Sequence, residues 1–188
     1  VGSADLKGTA FNVNNSFASA GTTAFTNSGV LTKNSTGNIT STGAFSTTGD
    51  VNLAANITTT DTDLTIGGNL VVAEAATPTL STGAGTAGNV LVSGTTNGTT
   101  GGVAENLTVQ AGTGTVTFTG NVGNATNATE LEALTITNAG ATLFSGAVTL
   151  ANALTQTNAA TGATTFTGAV SVGSADLKGT AFNVNNSF

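Results

Sequence analysis

Apolar and polar residues alternate along this chain in short runs, and the runs recur. The most regular is Gly-x-[Val/Leu]-x-[Leu/Val], found as Gly49-Asp-Val51-Asn-Leu53, Gly68-Asn-Leu70-Val-Val72, Gly88-Asn-Val90-Leu-Val92, Gly146-Ala-Val148-Thr-Leu150 and Gly168-Ala-Val170-Ser-Val172. Gly120-Asn-Val122 is a shortened version, and Ser28-Gly29-Val30 takes the same place earlier in the chain. A second run sets an apolar residue before Thr, Ser or Asn, as at Phe11, Ile39, Ile57, Leu80, Leu107, Leu134 and Leu154. A third places a Phe just ahead of the glycine: Phe118, Phe144 and Phe166, with Phe25 and Phe45 slightly earlier, Ile66 replacing Phe once and Thr86 filling the weakest case. Each cycle therefore predicts three short strands with period-2 alternation, separated by Gly, Asn and Thr bends.

The cycle closes on itself. Val1–Phe17 reads VGSADLKGTAFNVNNSF, and Val172–Phe188 reads the same seventeen letters, an offset of 171. Tandem copies account for this best, with residues 1–171 as one repeat unit and 172–188 as the start of the next. A shared flanking tag is the plain alternative. Anchor glycines stand 19 to 32 residues apart, and about seven coils fill the unit. Three strands per coil of this size predict an all-β fold, a right-handed parallel β-solenoid, in which one coil cannot bury its own apolar face but stacked coils can. At ~4.8 Å per coil the unit rises roughly 34 Å. A β-sandwich explains the alternation and the turns, but neither the matching anchors nor the return after 171 residues.

On this reading the Phe-bearing strands stack a core ladder of Phe25, Phe45, Ile66, Phe118, Phe144 and Phe166. Val51/Leu53, Leu70/Val72, Val148/Leu150 and Val170/Val172 line another face, and Leu107/Val109 with Leu134/Ile136 line the remaining one. Gly49, Gly68, Gly88, Gly120, Gly146 and Gly168 are the coil anchors, at a corner that needs a residue without Cβ. Extruded loops are expected around Gly94 to Gly102 and Gly173 to Gly179.

Composition narrows the chemistry. Of 188 residues, 41 are Thr, 29 Ala, 26 Gly and 21 Asn, and there is no Cys, Met, Trp, Tyr, His or Arg. Thiol, imidazole and guanidinium chemistry are thus absent, and no enzymatic activity, catalytic residue, metal site or cofactor is expected. Nine acids stand against Lys7, Lys33 and Lys178, a net charge of −6. Nucleic acid binding lacks its basic footprint, and no run of ~18 apolar residues predicts membrane insertion. The absence of Met and of a secretion signal at Val1 suggests an excerpt from a longer processed protein.

Two acid pairs, Asp61/Asp63 and Glu130/Glu132, each place two carboxylates on the same side of a strand. They read as solvated faces rather than as a glycosidase pair or a calcium site. Asn-x-Ser/Thr triplets at Asn34, Asn38, Asn56, Asn106, Asn124 and Asn127 are expected from composition alone. The Gly-rich stretch from Gly83 to Gly102 lacks the Lys-Ser/Thr ending of a phosphate loop. Outward Thr-x-Thr pairs, Thr40/Thr42, Thr58/Thr60, Thr135/Thr137 and Thr155/Thr157, give one alternative function, an ice-binding face. Asn12/Asn14, Thr108/Gln110 and Ser81/Gly83 interrupt that array. A carbohydrate-binding β-helix is a further alternative.

Thr/Asn/Gly-rich coils with few charges and no Cys resemble the repetitive β-helical shafts of bacterial surface adhesins, of the filamentous-haemagglutinin and autotransporter-passenger kind. The resemblance spans the chain but is one of style, without a family-specific motif. It implies an extracellular or cell-surface location and a structural role as the shaft of a long fibre or giant adhesin. The partners it implies are identical neighbouring repeats end to end, with lateral fibre contacts or cell-surface glycans beyond them.

Overall fold

The computed structural model describes residues 1–85, 88–99, 104–124, 130–157 and 162–188. Every strand pairing is parallel, and no helix occurs among the described residues. The chain visits three sheets in strict rotation, so it winds as a three-sided parallel β-solenoid of about eight turns with three strands per coil. The first face runs from Ala4–Gly8 through Thr23–Asn27, Phe45–Thr47, Leu64–Ile66, Val90–Val92, Thr115–Phe118, Ala141–Phe144 and Ala163–Phe166 to Ala181–Val184. The second holds Phe11–Val13, Val30–Lys33, Asp50–Leu53, Leu70–Val72 and Thr96–Asn97, and continues through single bridges from Thr96 to Val122 and from Val122 to Val148. The third holds Phe17–Ser19, Ile39–Ser41, Ile57–Thr59, Thr79–Ser81, Asn106–Gln110 and Ala133–Asn138. Two longer strands, Val148–Gln156 and Val170–Asp176, turn the corner and serve both the second and the third face.

Alternation puts every second side chain into the axial core, where like meets like one coil up. On the second face Leu31, Val51 and Leu70 follow one another in register, and on the third Ile39, Ile57, Leu80, Val109 and Ile136 do so. All eight are essentially inaccessible to solvent, and each such burial is worth about 1.5–3 kcal/mol.

The aromatic ladder of the first face differs from the expected single column. Phe118, Phe144 and Phe166 do stack, with centroids 5.5 and 5.0 Å apart and planes within 2° of parallel. Ile66 and Val92 continue that column below them. Phe45, however, pairs with Thr23 and not with Phe25, whose partner is Thr47. Thr23-x-Phe25 is followed by Phe45-x-Thr47, so the large and small residues exchange places and the rings meet diagonally, tilted by 52° at 6.0 Å. The stagger fits two rings into adjacent coils without widening either. Val92 holds the place assigned to Thr86, which lies outside the described residues.

Glycines form two corner columns rather than one. Ahead of the second face, Gly29, Gly49, Gly68, Gly94, Gly120, Gly146 and Gly168 lie one above another. A Cβ on Gly146 would stand 2.6 Å from the Gly120 carbonyl, and one on Gly168 would stand 2.5 Å from Gly146. Gly88 is not in this column. It belongs with Gly114, Gly140 and Gly162 at the corner before the first face, because Val90–Val92 pairs with Leu64–Ile66 and Thr115–Phe118. Glycine precedes an alternating strand at both corners, although Thr62 takes its place beneath Gly88, so Gly88-Asn-Val-Leu-Val copies the letters of an anchor at the other bend. Gly94 anchors that coil instead, and residues 94–97 are part of the second face; 100–103 lie outside the described residues. Gly173 likewise lies within the strand Val170–Asp176 rather than in an extruded loop.

Asp and Asn side chains at the corners carry a second ladder. The Asp50 carboxylate accepts from the backbone N–H of Asn69 at 2.7 Å, and the Asn69 side-chain carbonyl accepts from Thr95 N–H at 2.9 Å. At the other corner Asp63 accepts from Asn89 N–H at 2.8 Å, and Asn89 accepts from Thr115 N–H at 2.9 Å. Before the third face Asn56 serves Thr79 N–H at 2.8 Å. A bend leaves N–H groups without ladder partners, and these side chains satisfy them from one coil to the next.

Candidate functional site

Two kinds of surface stand out on this rod: its open ends and its outward ladders. At each end the last coil presents unpaired strand N–H and C=O groups together with the inward side chains that a further coil would cover. At the first coil those side chains are Leu6, Phe11, Val13 and Phe17, all only partly buried. At the last coil Phe182 is 43%, Val184 42% and Phe188 59% exposed. Phe188 sets its ring edge-on to Phe166 at 5.7 Å. Each end is therefore an apolar patch framed by backbone hydrogen-bonding groups, which is chemistry suited to another coil.

The outward threonines fall on the third face in two staggered blocks. Thr40 pairs with Thr58, and Thr135 with Thr155. The second pair aligns with Thr79 and Thr108, not with the first pair. A register shift after Val109 pairs Gln110 with Asn138 and leaves Thr137 as the extra residue. The Thr137 hydroxyl donates to the Val109 carbonyl at 3.3 Å, and the Thr157 hydroxyl to that of Thr137 at 3.1 Å. Thr42 and Thr60 sit just past their strands, exposed at the bend. The unbroken column is thus Thr79, Thr108, Thr135 and Thr155, of which the sequence pattern had found only the upper half.

The acid pairs are placed differently from each other. Asp61 and Asp63 lie at a bend, not on a strand. Asp61 adopts a left-handed φ of 55°, and Asp63 is engaged in the corner ladder with Asn89. Glu130 and Glu132 flank the buried Leu131 just before Ala133–Asn138, and the Glu132 carboxylate accepts from the Asn152 amide at 2.7 Å. Among the described residues no three His, Cys, Asp or Glu side chains gather closely enough to hold a metal ion. Asn127 lies outside the described residues.

Two ionisable residues that the pattern did not single out are buried. Glu105 is inaccessible to solvent and accepts from the backbone N–H of Thr99 at 3.1 Å, and from its hydroxyl. Lys33 occupies an inward position between Val13 and Leu53 and is 1% exposed. Its ammonium donates to the carbonyls of Val13, Asn34 and Thr36 at 3.3, 2.7 and 2.9 Å. All three donors are therefore used, and burial holds the group below the ordinary lysine value of 10.5. Only its place in the alternation, Val30-Leu-Thr-Lys33, signals the burial, since a charged residue at that position is otherwise expected to face solvent.

The second face carries a shallow polar depression of about 300 Å³ beside Val122, lined by Thr95, Asn97, Asn121, Gly123 and Thr149. It forms where that face narrows to single bridges, and it presents amides and hydroxyls without a charged or aromatic side chain. On the first face Leu143, flanked in register by Thr117 and Thr165, is 37% exposed. It is the one large apolar side chain among the described residues that is exposed away from the ends. Comparison with protein families, curated proteins and solved structures found no match.

Proposed function

We propose that this chain is a structural repeat, a segment of the shaft of a long extracellular fibre or giant surface adhesin, in which stacked coils continue from copy to copy. The observation that supports the reading is the repeated segment: residues 172–188, identical to 1–17, stack as a continuing coil on the one before, with Ala175 in register with Leu154 and Val184 with Phe166. The mechanism is mechanical. Hydrogen bonds between coils lie along the rod axis on all three faces, so axial load is shared, each bond contributing on the order of 1 kcal/mol net. Small side chains and few charges let like residues stack without strong repulsion.

The test is the polypeptide mass of native material after complete denaturation in formic acid. A covalent chain many times 171 residues long is expected. A discrete product near 18.0 kDa would count against the shaft.

A second reading rests on the Thr79, Thr108, Thr135 and Thr155 column, which repeats hydroxyl and methyl groups at the coil spacing of ~4.8 Å. An ice-binding face predicts thermal hysteresis that Thr135→Lys abolishes. The shaft reading expects none from either protein.

A further inference from the structure

The two copies of the seventeen-residue segment have the same local fold but lie on different faces. In the first copy Ala4–Gly8 is on the first face, Phe11–Val13 on the second and Phe17–Ser19 on the third. In the second copy Ala175 and Asp176 pair with Leu154 and Thr155 on the third face, and Ala181–Val184 pairs with Ala163–Phe166 on the first. The Ser187 carbonyl then accepts from Val170 N–H at 2.9 Å, which brings Phe188 to the second face.

Inside the segment the inward and outward alternation is kept, although the strand that spans Ala4–Gly8 in the first copy ends at Asp176 in the second. Ala4 and Ala175 point inward, and Asp5 and Asp176 outward. Lys7 lies 3.4 Å from Asp5, and Lys178 lies 3.9 Å from Asp176. A Cβ on Gly8 would meet the Phe11 ring at 3.2 Å, and one on Gly179 would meet the Phe182 ring at 3.3 Å. The chain bends at Thr9 and Asn15, and again at Thr180 and Asn186. The segment keeps its corners and its inward residues while docking one face out of step.

We infer that one 171-residue unit makes seven and two-thirds turns, so that in a tandem array each unit is rotated by a third of a turn against the last, and a given face returns only at every third unit. The inference rests on the shaft reading for its array and on the two docked segments for its phase. A whole number of turns would require Ala175 to lie on the first face. Val172 is on the second face, only three residue steps away, a reach of at most ~11 Å. A strand on the third face cannot be skipped within that distance. The shift also suits the core. Val184 stands in register over Phe166, Ala175 over Leu154, and the Phe188 ring packs edge-on against Phe166, so apolar meets apolar where the segment docks.

At ~4.8 Å per coil the unit rises ~37 Å, and three units complete twenty-three turns in ~110 Å. Any outward feature, the exposed Leu143 among them, therefore appears on all three sides of the shaft in succession. Lateral contacts through such a feature point in three directions, and they build bundles rather than flat ribbons.

Paired cysteines in the 188-residue chain test the phase directly. Thr165 and Asn183 are outward neighbours in register, with side chains 3.3 Å apart. The chain carrying Thr165→Cys and Asn183→Cys is expected to form its disulfide under mild oxidation, while Ser171→Cys with Asn183→Cys is not. A whole-number unit would place Asn183 above Ser171 and reverse the result. Any pattern other than the first overturns the inference. A chain of three tandem units labelled with heavy atoms at Leu143→Cys gives the second readout. Labels ~37 Å apart along the axis and a third of a turn apart around it are expected, and labels aligned along one side overturn it. Neither outcome depends on the mass of the native polypeptide, so the phase and the shaft reading can fail separately.

Discussion

At the residue scale, the corners set the tightest demands. Gly146 sits where a Cβ would lie 2.6 Å from backbone atoms of Gly120, and a backbone cannot retreat as a flexible side chain can. Gly146→Ala is therefore expected to destabilise the fold by about 1–3 kcal/mol, in line with overpacking elsewhere. Gly2→Ala, with nothing within 4 Å, should change urea-unfolding stability little and serves as the control. Lys33 gives a pH signature. Burial lowers its folded-state pKa below 10.5, so between the two values the unfolded chain holds a proton that the folded chain has released. Stability should accordingly rise as pH climbs through that window toward about 10.5, with the full cost of the buried charge present below it. Lys33→Met should remove the rise in urea melts taken from about pH 8 to pH 11. An unchanged slope in the variant would mean that the lysine is not buried as described.

At the scale of elements, most strands here are three to five residues long and mean little alone. A strand's neighbours one coil away decide its face. Phe144 is the middle of a parallel ring stack, with Phe118 and Phe166 on either side. Phe144→Ala removes both stacking contacts and opens a cavity between fixed coils, which should cost about 3–5 kcal/mol of unfolding free energy. A loss below about 1 kcal/mol would mean that neighbouring coils collapse into the gap. The strand pattern itself was legible in the letters. Which of two glycine corners a strand follows was not, as Gly88 shows. The sequence around it fits either corner, and only its pairing with Leu64–Ile66 settles the matter. Phe45 teaches the same point, because alternation predicts that its ring points inward but not which of two inward columns it joins.

At the scale of the molecule, the rod is a stack of like coils. Coils in the middle are sandwiched on both sides, whereas the first and last are covered on one side only. Stability in such an array is a sum of unit and interface contributions. Amide hydrogen exchange is expected to be slowest across Asp50–Leu53 to Val90–Val92 and fastest in Ala4–Gly8 and Ala181–Val184. Uniform protection along the rod would show that it opens as one unit instead. Adding a further copy at either end should slow exchange at that end and leave the middle unchanged.

The sequence by itself determined the solenoid, its three strands per coil and most of its buried side chains. Those follow from period-2 alternation and from a repeat that a single coil cannot satisfy alone. The Asn and Asp residues after the glycines were also there to be read, as Gly-Asp50, Gly-Asn69, Gly-Asn89 and Gly-Asn121. Their task was not, because it lies in a hydrogen bond to a residue about twenty or more positions away. Tertiary structure alone decided the column each ring joins, the burial of Lys33 and the third-of-a-turn phase between the two identical ends. Each of these is a matter of register between coils. Register is set by how volumes and backbone fit across some twenty residues of intervening chain, and local alternation is the same in every register that differs by two.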